Sequence, residues 1–207
     1  MVEHLTRSLL RARQNLMRTM HEDRKHVFVD TLHWDLDCPG PQEIDQFDDE
    51  KADYLVGAAR DGSHLVSVRL LDTERSHILG SIFPFLCDGE VPRGAHIKEI
   101  TRYIASPRSR AGERLVARNM MARALVEYGH LTGITKYTAV CDMSFLNQIL
   151  AAGWRCDPLG LPQTVDGSVV GAFCIHVERD TITKMASSWR CNRPALTGDS
   201  LNFRNAA

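Results

Sequence analysis

The chain lacks the cysteine and histidine patterns that mark metal-binding and disulfide-rich proteins. Its six cysteines lie far apart and include no Cys-x-x-Cys pair, and its nine histidines include no His-x-x-x-His pair. Three cysteines, Cys141, Cys156 and Cys174, fall in apolar stretches that are typical of buried strands. We therefore expect reduced cysteines that pack in a core, and we expect no metal site.

The chain also lacks an excess of charge of one sign and lacks long apolar runs. Its 25 basic and 26 acidic residues give a net charge of -1, which argues against a surface for nucleic acid. The N-terminal stretch MVEHLTRSLLRARQ is charged and has no apolar signal core, and no apolar run approaches a membrane span. We expect a cytoplasmic protein.

A length of 207 residues fits one domain, and the patterns in its first half predict helix, loop and hairpin in that order. Apolar residues at helical spacing over 5–32 predict one long helix or two abutting helices. Residues 37–51 contain two prolines, a glycine and six acids, which predict a loop. Two strand-like runs, 53–59 and 64–71, flank an Asp-Gly turn and predict a hairpin.

The second half alternates between strand and helix patterns. Residues 96–105 alternate as a strand that places Glu99, Thr101 and Tyr103 on one face and Arg102 on the other. Helices are predicted over 112–128, ending at Gly129 or Gly133, and over 144–152; strands are predicted over 137–141 and 169–177. This order predicts a layered α/β domain with a mostly buried sheet over 1–180, followed by a polar, mobile tail over 181–207 with a short helix at most.

Six charged residues interrupt apolar or aromatic segments of the first half, and their charges sum to zero. An unpaired buried ion costs several kcal/mol, on the order of a broken buried pair. We therefore expect a paired set that forms a cleft for a charged ligand. The six residues are Arg24, Asp45, Asp48, Arg69, Glu99 and Arg102.

Together with two aromatic residues, this set resembles the acyl-homoserine-lactone synthases, which make the autoinducers of bacterial quorum sensing. That family has Arg and Phe ahead of Trp, a Glu-x-Asp-x-x-Asp loop, an Arg-Leu-Leu strand and a Glu-x-Ser/Thr-Arg strand. These positions are filled here by Arg24, Phe28, Trp34, 43–48, 69–71 and 99–102, and the resemblance covers about 20–177.

The resemblance implies an α/β fold like that of the N-acetyltransferases, a single domain whose splayed mixed sheet carries helices on both faces and admits an acyl thioester. It implies acylation of the amine of S-adenosylmethionine, then lactone closure that expels methylthioadenosine. S-adenosylmethionine is then a substrate, and no tightly bound cofactor is expected.

The residue types suit this chemistry. An amine attacks a thioester only as the free base, so we expect Glu99 to accept its proton, with Asp45 and Arg102 in the same catalytic set. Arginines pair with a substrate carboxylate, aspartates hold the cationic groups, and backbone donors beside Thr101 and Arg102 polarise the thioester carbonyl. The expected substrate-binding residues are Arg24, Phe28, Trp34, Asp48, Arg69, Thr101, Tyr103 and, by the resemblance, Thr138 for the acyl chain. The alternatives are a purely structural ion network and core aromatics.

The sequence departs from the family at three places that concern the acyl donor. Lys98 replaces the usual Trp, and helix 144–152 has none of the basic residues with which relatives often dock an acyl carrier protein. Arg110, Arg114 and Arg118 instead follow one another at a spacing of four, which predicts a basic helix face. This face either binds a carrier protein or the phosphates of coenzyme A, or is merely solvated. The segment 108–113 lacks the second glycine of the acetyltransferase phosphate loop, so both donors stay open.

Two other functions remain open: an N-acyltransferase of the same fold that acts on a different amine, and a protein that binds an acylated ligand without turnover. A generic acetyltransferase has no need of the full set from Arg24 to Arg102. A buried acid such as Glu99 is costly in a purely apolar ligand pocket.

Overall fold

A computed structural model describes residues 1–188 and 193–197 of the chain, which fold around one mixed sheet. The strand order is β1-β2-β3-β4-β5-β8-β6, and β7 also pairs with β8. The strands are β1 (Val2–Leu5), β2 (Asp53–Ala58), β3 (His64–Asp72), β4 (Ile97–Ala105), β5 (Lys136–Asp142), β6 (Arg155–Pro158), β7 (Gln163–Val165) and β8 (Ser168–His176).

Within the described residues, six α-helices accompany the sheet, and the predicted N-terminal helical region is present but begins after a strand that the apolar spacing did not reveal. Helix α2 continues into a π-helical segment, Lys25–Thr31, while Arg11–Arg13 and Pro84–Leu86 form single 3-10 turns. The predicted hairpin is formed by β2 and β3. The helices are α1 (Arg7–Leu10), α2 (Gln14–Arg24), α3 (Ile78–Ser81), α4 (Ala111–Thr132), α5 (Met143–Leu150) and α6 (Thr181–Ser188).

Helices cover both faces of the sheet, as the residue pattern and the resemblance predict. On one face, the main core joins strand residues such as Leu70 and Tyr137 to Met121 and Leu125 of α4. On the other face, α2 packs Leu16 and Met20 against the hairpin strands β2 and β3. Gly133, at φ 76°, ends α4 in the left-handed conformation that favours glycine, which decides between the two expected ends of this helix.

The sheet splays between β4 and β5. These parallel strands pair only from Ile97 with Lys136 to Ile100 with Ala139, although both continue beyond these positions. Over these four pairs the two strands form a continuous sheet, and beyond Ile100 and Ala139 the edge of each strand faces a gap. A split of this kind leaves backbone donors and acceptors free for a ligand.

A β-bulge at Arg102 overturns the predicted faces of β4. Arg69 pairs with Thr101, but Ser67 pairs with Ile104, so β4 carries one extra residue at this point. Arg102 takes up the extra residue with φ 52°, a left-handed conformation that is costly for a residue with a side chain. The alternation therefore slips by one: Arg102 joins the face of Glu99 and Thr101, and Tyr103 moves to the opposite face, against the α4 core.

The segment expected to be a mobile tail is partly built into the fold. The short helix α6 agrees with the expectation, and its Met185 is buried. Beyond it, Val2 donates its backbone N–H to Ala195 and accepts one from Thr197, and Leu196 is buried. These contacts attach 193–197 to β1, and the expected mobility of the tail stays a prediction; residues 189–192 and 198–207 lie outside the described residues.

Candidate active site

The site is built on an ion network that begins with Arg24 at the C-terminal end of α2. Its Nε donates to Glu43 at 2.5 Å, and its two terminal nitrogens donate to the two oxygens of Asp48, each at 2.8 Å. Tyr54 of β2 also donates to Asp48, at 2.6 Å. The Arg24 side chain is only 1% exposed, so its charge is balanced entirely by these acids of the loop.

Two more arginines, from neighbouring strands, complete the network. The two terminal nitrogens of Arg69, in β3, donate to the two oxygens of Asp45, at 2.6 and 3.0 Å. The Nε of Arg69 donates to the Thr101 hydroxyl at 2.9 Å. Arg102, turned into this face by the bulge, donates to Glu43 and to Asp45, each at 2.8 Å from Nη2. Bidentate contacts of this kind fix both direction and distance, so the network holds the acidic loop against the sheet.

The network is electrically balanced, but with a different acid from the one expected. Three arginines face Glu43, Asp45 and Asp48, whereas Glu99 makes no ion pair with them among the described residues. Burial alone would raise the pKa of Asp48, but Arg24 and Arg69 hold it well below its usual range; burial is likewise opposed at Asp45, whose pKa is lowered by Arg69 and Arg102. Both aspartates are therefore anions at neutral pH.

Glu43 is a member of the ion network that the site prediction omitted. It is buried, and it binds Arg24 and Arg102 at once. Its backbone N–H also donates to His21, so it is fixed at both main chain and side chain. The available signal was its place at the start of the Glu-x-Asp-x-x-Asp loop, where three acids match three arginines.

An aromatic pair packs against the most accessible part of the network. Phe28, in the π-helical segment, and Trp34 stack with ring centroids 4.7 Å apart. The guanidinium of Arg102 lies 5.2 Å from the Phe28 centroid and 5.9 Å from that of Trp34, within cation–π range. Phe28 is buried and Trp34 is half-buried, so the pair has both a core role and an exposed edge.

Glu99 lies on the same face as the network but is held by neutral donors. Its carboxylate accepts the backbone N–H groups of Ile78 and Leu79, at 2.8 and 2.7 Å, where α3 begins. Burial raises the pKa of Glu99 to about 7, against the opposing effects of these two N–H groups and of Arg69. A carboxylate with a pKa near neutrality is suited to accept and release a proton under ordinary conditions.

Thr138 of β5 lies beside Glu99 across the parallel pair of strands. It is fully buried, and its hydroxyl has no hydrogen-bond partner within the described residues. Lys98 points to the opposite face of β4, where it pairs with Asp53 and Asp72 at 3.0 and 2.8 Å. The change from Trp to Lys therefore leaves Glu99 in register, as expected.

The three arginines predicted to form a basic helix face differ in exposure and in their partners. Arg110 is exposed and immediately precedes α4, with its N–H bound to Glu113 at 2.9 Å. Arg114 is half-buried and donates to the Ser109 carbonyl at 2.5 Å. Arg118 is half-buried and donates to Gln148 of α5 at 2.6 Å. Arg110 is therefore the exposed member of the three, and the shared basic face stays a prediction.

A second cluster of polar side chains links α2 to β3 next to the network. His64 of β3 contacts Asp23 of α2 at 2.7 Å through Nδ1 and Ser67 at 3.0 Å through Nε2, and Arg108 reaches Asp23 at 3.0 Å. The three residues follow the order of a hydrolase triad, but Ser67 is 1% exposed in the middle of a strand, where no substrate reaches it. The cluster connects the segments that carry Arg24 and Arg69.

The described residues contain neither a cluster of metal ligands nor a membrane-spanning helix. In the described part of the chain, no three His, Cys, Asp or Glu side chains are grouped as metal ligands, and Cys38, Cys87, Cys141, Cys156 and Cys174 are free thiols. No helix among the described residues is both long and apolar enough to cross a bilayer.

The amino-acid sequence of this chain is similar to those of one known protein family. A family model described as autoinducer synthase matches residues 8–185. The acyl-homoserine-lactone synthase of Acinetobacter nosocomialis is 31% identical over 161 residues, which cover 74% of this chain and 88% of that protein.

Solved structures agree. A coenzyme A-dependent acyl-homoserine lactone synthase, MesI, superimposes with a TM-score of 0.83 at 25% identity, over 96% of this chain and 100% of that one. A second one, BjaI with S-adenosylmethionine and isopentyl-coenzyme A, has a TM-score of 0.86 at 23% identity, over 95% and 92% of the two chains. A putative N-acetyltransferase from Lactobacillus plantarum shares the fold at a TM-score of 0.56 and 14% identity, over 86% and 99%.

Proposed function

Because this chain belongs to the autoinducer synthase family, we propose that its ion network and Glu99 divide the work of acyl-homoserine-lactone synthesis between binding and proton transfer. The enzyme is an acyltransferase that makes a quorum-sensing signal from S-adenosylmethionine and an acyl thioester. The assignment of steps to residues, the choice of donor and the location of the reaction are our proposals.

The first step is acylation, and Glu99 is its base. The ammonium group of S-adenosylmethionine loses a proton to Glu99, directly or through a water, and the free amine attacks the thioester carbonyl carbon. The carbon–sulfur bond of the thioester breaks and the departing thiolate takes the second proton of the attacking nitrogen, so that an amide and a free thiol form; Glu99 then releases its proton to water. Backbone donors of β4 above the split with β5 stabilise the oxyanion.

The observation that carries this role is the isolation of Glu99. Glu99 is bound by two backbone N–H groups and by no arginine among the described residues, and burial raises its pKa to about 7, whereas the pKa values of Asp45 and Asp48 are lowered. A base that must alternate between two protonation states at neutral pH needs such an environment.

The second step is lactone closure, and the network orients it. The substrate carboxylate oxygen bonds to the γ-carbon, the bond from that carbon to the sulfonium breaks, and methylthioadenosine leaves as a neutral molecule. Arg102 binds its partners through Nε and Nη2, which leaves Nη1 available among the described contacts to hold the substrate carboxylate. Arg24 and Arg69 are fully engaged with acids, so we assign them to the loop and not to the substrate.

The remaining site residues have supporting roles. Asp45, the most exposed acid of the network at 20% side-chain exposure, faces the cationic groups of the substrate. Phe28 and Trp34 cover the adenosine. The hydroxyl of Thr138, which has no hydrogen-bond partner among the described residues, faces the acyl chain. It donates to the β-oxygen of an acyl chain that carries one. Asp48 and Thr101 hold Arg24 and Arg69 in position.

We propose acyl-coenzyme A as the donor in preference to acyl carrier protein. Helix α5 has no basic residue, and the exposed Arg108 and Arg110 precede α4, where phosphates are met by the helix N-terminus. MesI and BjaI are described as coenzyme A-dependent. We place the reaction in the cytoplasm, where S-adenosylmethionine is made.

The test is turnover by purified protein with S-adenosylmethionine and matched series of acyl-coenzyme A and acyl-carrier-protein thioesters. We expect equal amounts of lactone and methylthioadenosine, and a higher kcat/KM with the coenzyme A series. Acylation of a different amine without methylthioadenosine would identify an N-acyltransferase. The absence of product from both series would contradict the proposal.

A further inference from the structure

Arg118 is positioned above the gap where β4 and β5 separate. It lies two turns into α4, which packs over the sheet, and its carbonyl accepts the hydroxyl of Tyr103 from β4 at 3.1 Å. On the other side of the gap, its guanidinium contacts α5, the helix that follows β5. Arg118 therefore bridges the two walls of the split.

The bridge consists of one hydrogen bond and a set of ring contacts. Arg118 Nη1 donates to Gln148 at 2.6 Å, and the guanidinium carbon lies 6.0 Å from the Phe145 ring centroid. Phe145 also packs against Tyr103, with centroids 5.9 Å apart. Gln148 itself is exposed, so this bond is easily exchanged for one to water or to a ligand.

One donor of Arg118 is not used by the bridge. Its Nε is buried and has no hydrogen-bond partner within the described part of the chain. Buried polar groups are nearly always paired, and an exception calls for an explanation. An acceptor that enters the gap would satisfy this donor without exposing it to bulk water.

We propose that Arg118 binds the pantetheine arm of the acyl donor, with its Nε–H donating to an amide carbonyl of that arm, and that the Gln148 contact closes the gap until the donor enters. The arm is uncharged and carries amide groups at intervals, which suits a single directed donor between the rings of Tyr103 and Phe145. Arg118 is then a substrate-binding residue inside the split and not part of an exposed docking face. This inference rests on the proposed function only for the identity of the donor.

The test compares Arg118→Met with Arg110→Met on two donors, acyl-coenzyme A and the corresponding S-acyl-pantetheine, which lacks the nucleotide. For Arg118→Met we expect KM to rise roughly 10-fold or more with both donors, the loss expected for a hydrogen bond from a charged group. The KM for S-adenosylmethionine should not change. Arg110→Met should raise KM for acyl-coenzyme A only.

An unchanged donor KM in Arg118→Met, or a change confined to acyl-coenzyme A, would overturn the assignment. Arg118→Lys keeps a charge and a long stem but lacks Nε, so it should lose donor affinity as well; full retention would also overturn the assignment. Gln148→Ala removes the bridge and keeps the donor, and its KM should be equal to or lower than that of the wild type. A higher KM would show that the bridge is structural.

A binding measurement separates this inference from the proposed function. Calorimetry with a non-reactive S-alkyl-pantetheine thioether needs no turnover, and the affinity should fall roughly 10-fold or more in Arg118→Met, as in the kinetic test. If the wild type makes no lactone yet binds the thioether through Arg118, the proposed reaction fails and the arm-binding site stands. Equal binding by wild type and variant would reject the site alone.

Discussion

At the scale of single residues, the charged groups of this site divide according to whether a counter-ion satisfies them. Arg24 and Arg69 direct all of their hydrogen bonds to acids of the loop, to Thr101 or to both. Glu99, in contrast, is bound only by backbone N–H groups. The first group supplies rigidity, and the second can exchange a proton without dismantling the network.

Removal of one arginine from the network should strongly destabilise the fold. Arg24→Ala removes the bidentate partner of Asp48 and one of the two arginines bound to Glu43, which leaves an excess of buried negative charge, and we expect a loss of about 3–5 kcal/mol in the free energy of unfolding. The matched control is Arg13→Ala, which breaks the exposed pair with Glu3 and should cost less than about 1 kcal/mol. Urea unfolding of both variants measures the difference. Equal losses would contradict a structural role for the network.

Five of the six charged residues selected from the sequence meet in one cluster, because buried charges of opposite sign must find each other. The same reasoning could not predict that the third acid of the network is Glu43 and not Glu99. Both acids flank apolar residues, and only the fold shows that α3 offers its free N–H groups to Glu99. Once those donors are in place, Glu43 is needed as the third acid.

At the scale of elements, local patterns predict regular segments well and irregular ones poorly. The Asp-Gly turn between β2 and β3 and the glycine after α4 both lie where the sequence placed them. The bulge at Arg102 has no comparable signal, since arginine is not a residue that favours φ 52°. It persists because the contacts of its side chain with Glu43 and Asp45 over-determine the conformation.

The attachment of α2 to β3 should weaken in mild acid. Burial lowers the pKa of His64, although Asp23 opposes the shift, and burial likewise lowers that of His21. Between these lowered values and the ordinary value of about 6.5, the unfolded chain binds more protons at these histidines than the folded one, so their contribution to stability falls as the pH falls through this window. The raised pKa of Glu99, about 7, acts in the opposite direction over the same window. The aspartates, whose pKa values are lowered, add a further loss only at lower pH.

The variant His64→Gln tests this dependence. At about pH 5.5, relative to about pH 7.5, we expect a higher free energy of unfolding than in the wild type, because the unfavourable contribution of one buried histidine is gone. His26→Gln, at a histidine whose side chain is 57% exposed, should keep the pH dependence of the wild type. An unchanged pH dependence in His64→Gln would show that His64 does not titrate in this window.

At the scale of the whole molecule, the alternation of strands and helices was sufficient to predict a layered α/β domain. The strand order was not predictable from that alternation, since β6 and β7 are short and β8 inserts between β5 and β6. The position of the split is a consequence of this topology. It places the network, Glu99 and Thr138 on one face of the sheet and Arg118 on the other, and under the proposed function the gap connects the donor side to the amine side.

The central claim is that Glu99 accepts the proton of the amine, and the dependence of kcat/KM for S-adenosylmethionine on pH tests it most directly. Glu99 must be ionised to act, so the wild type should gain activity with an inflection near pH 7, the pKa of this group. In Glu99→Gln we expect a loss of about 100-fold or more and the disappearance of that inflection. The inflection due to the substrate amine should remain in both proteins.

The same Gln variant sets an amide against the two backbone N–H groups, so the rates must be compared below its measured Tm. A folded Glu99→Gln protein with wild-type kcat/KM, or with the same inflection near pH 7, would contradict the account.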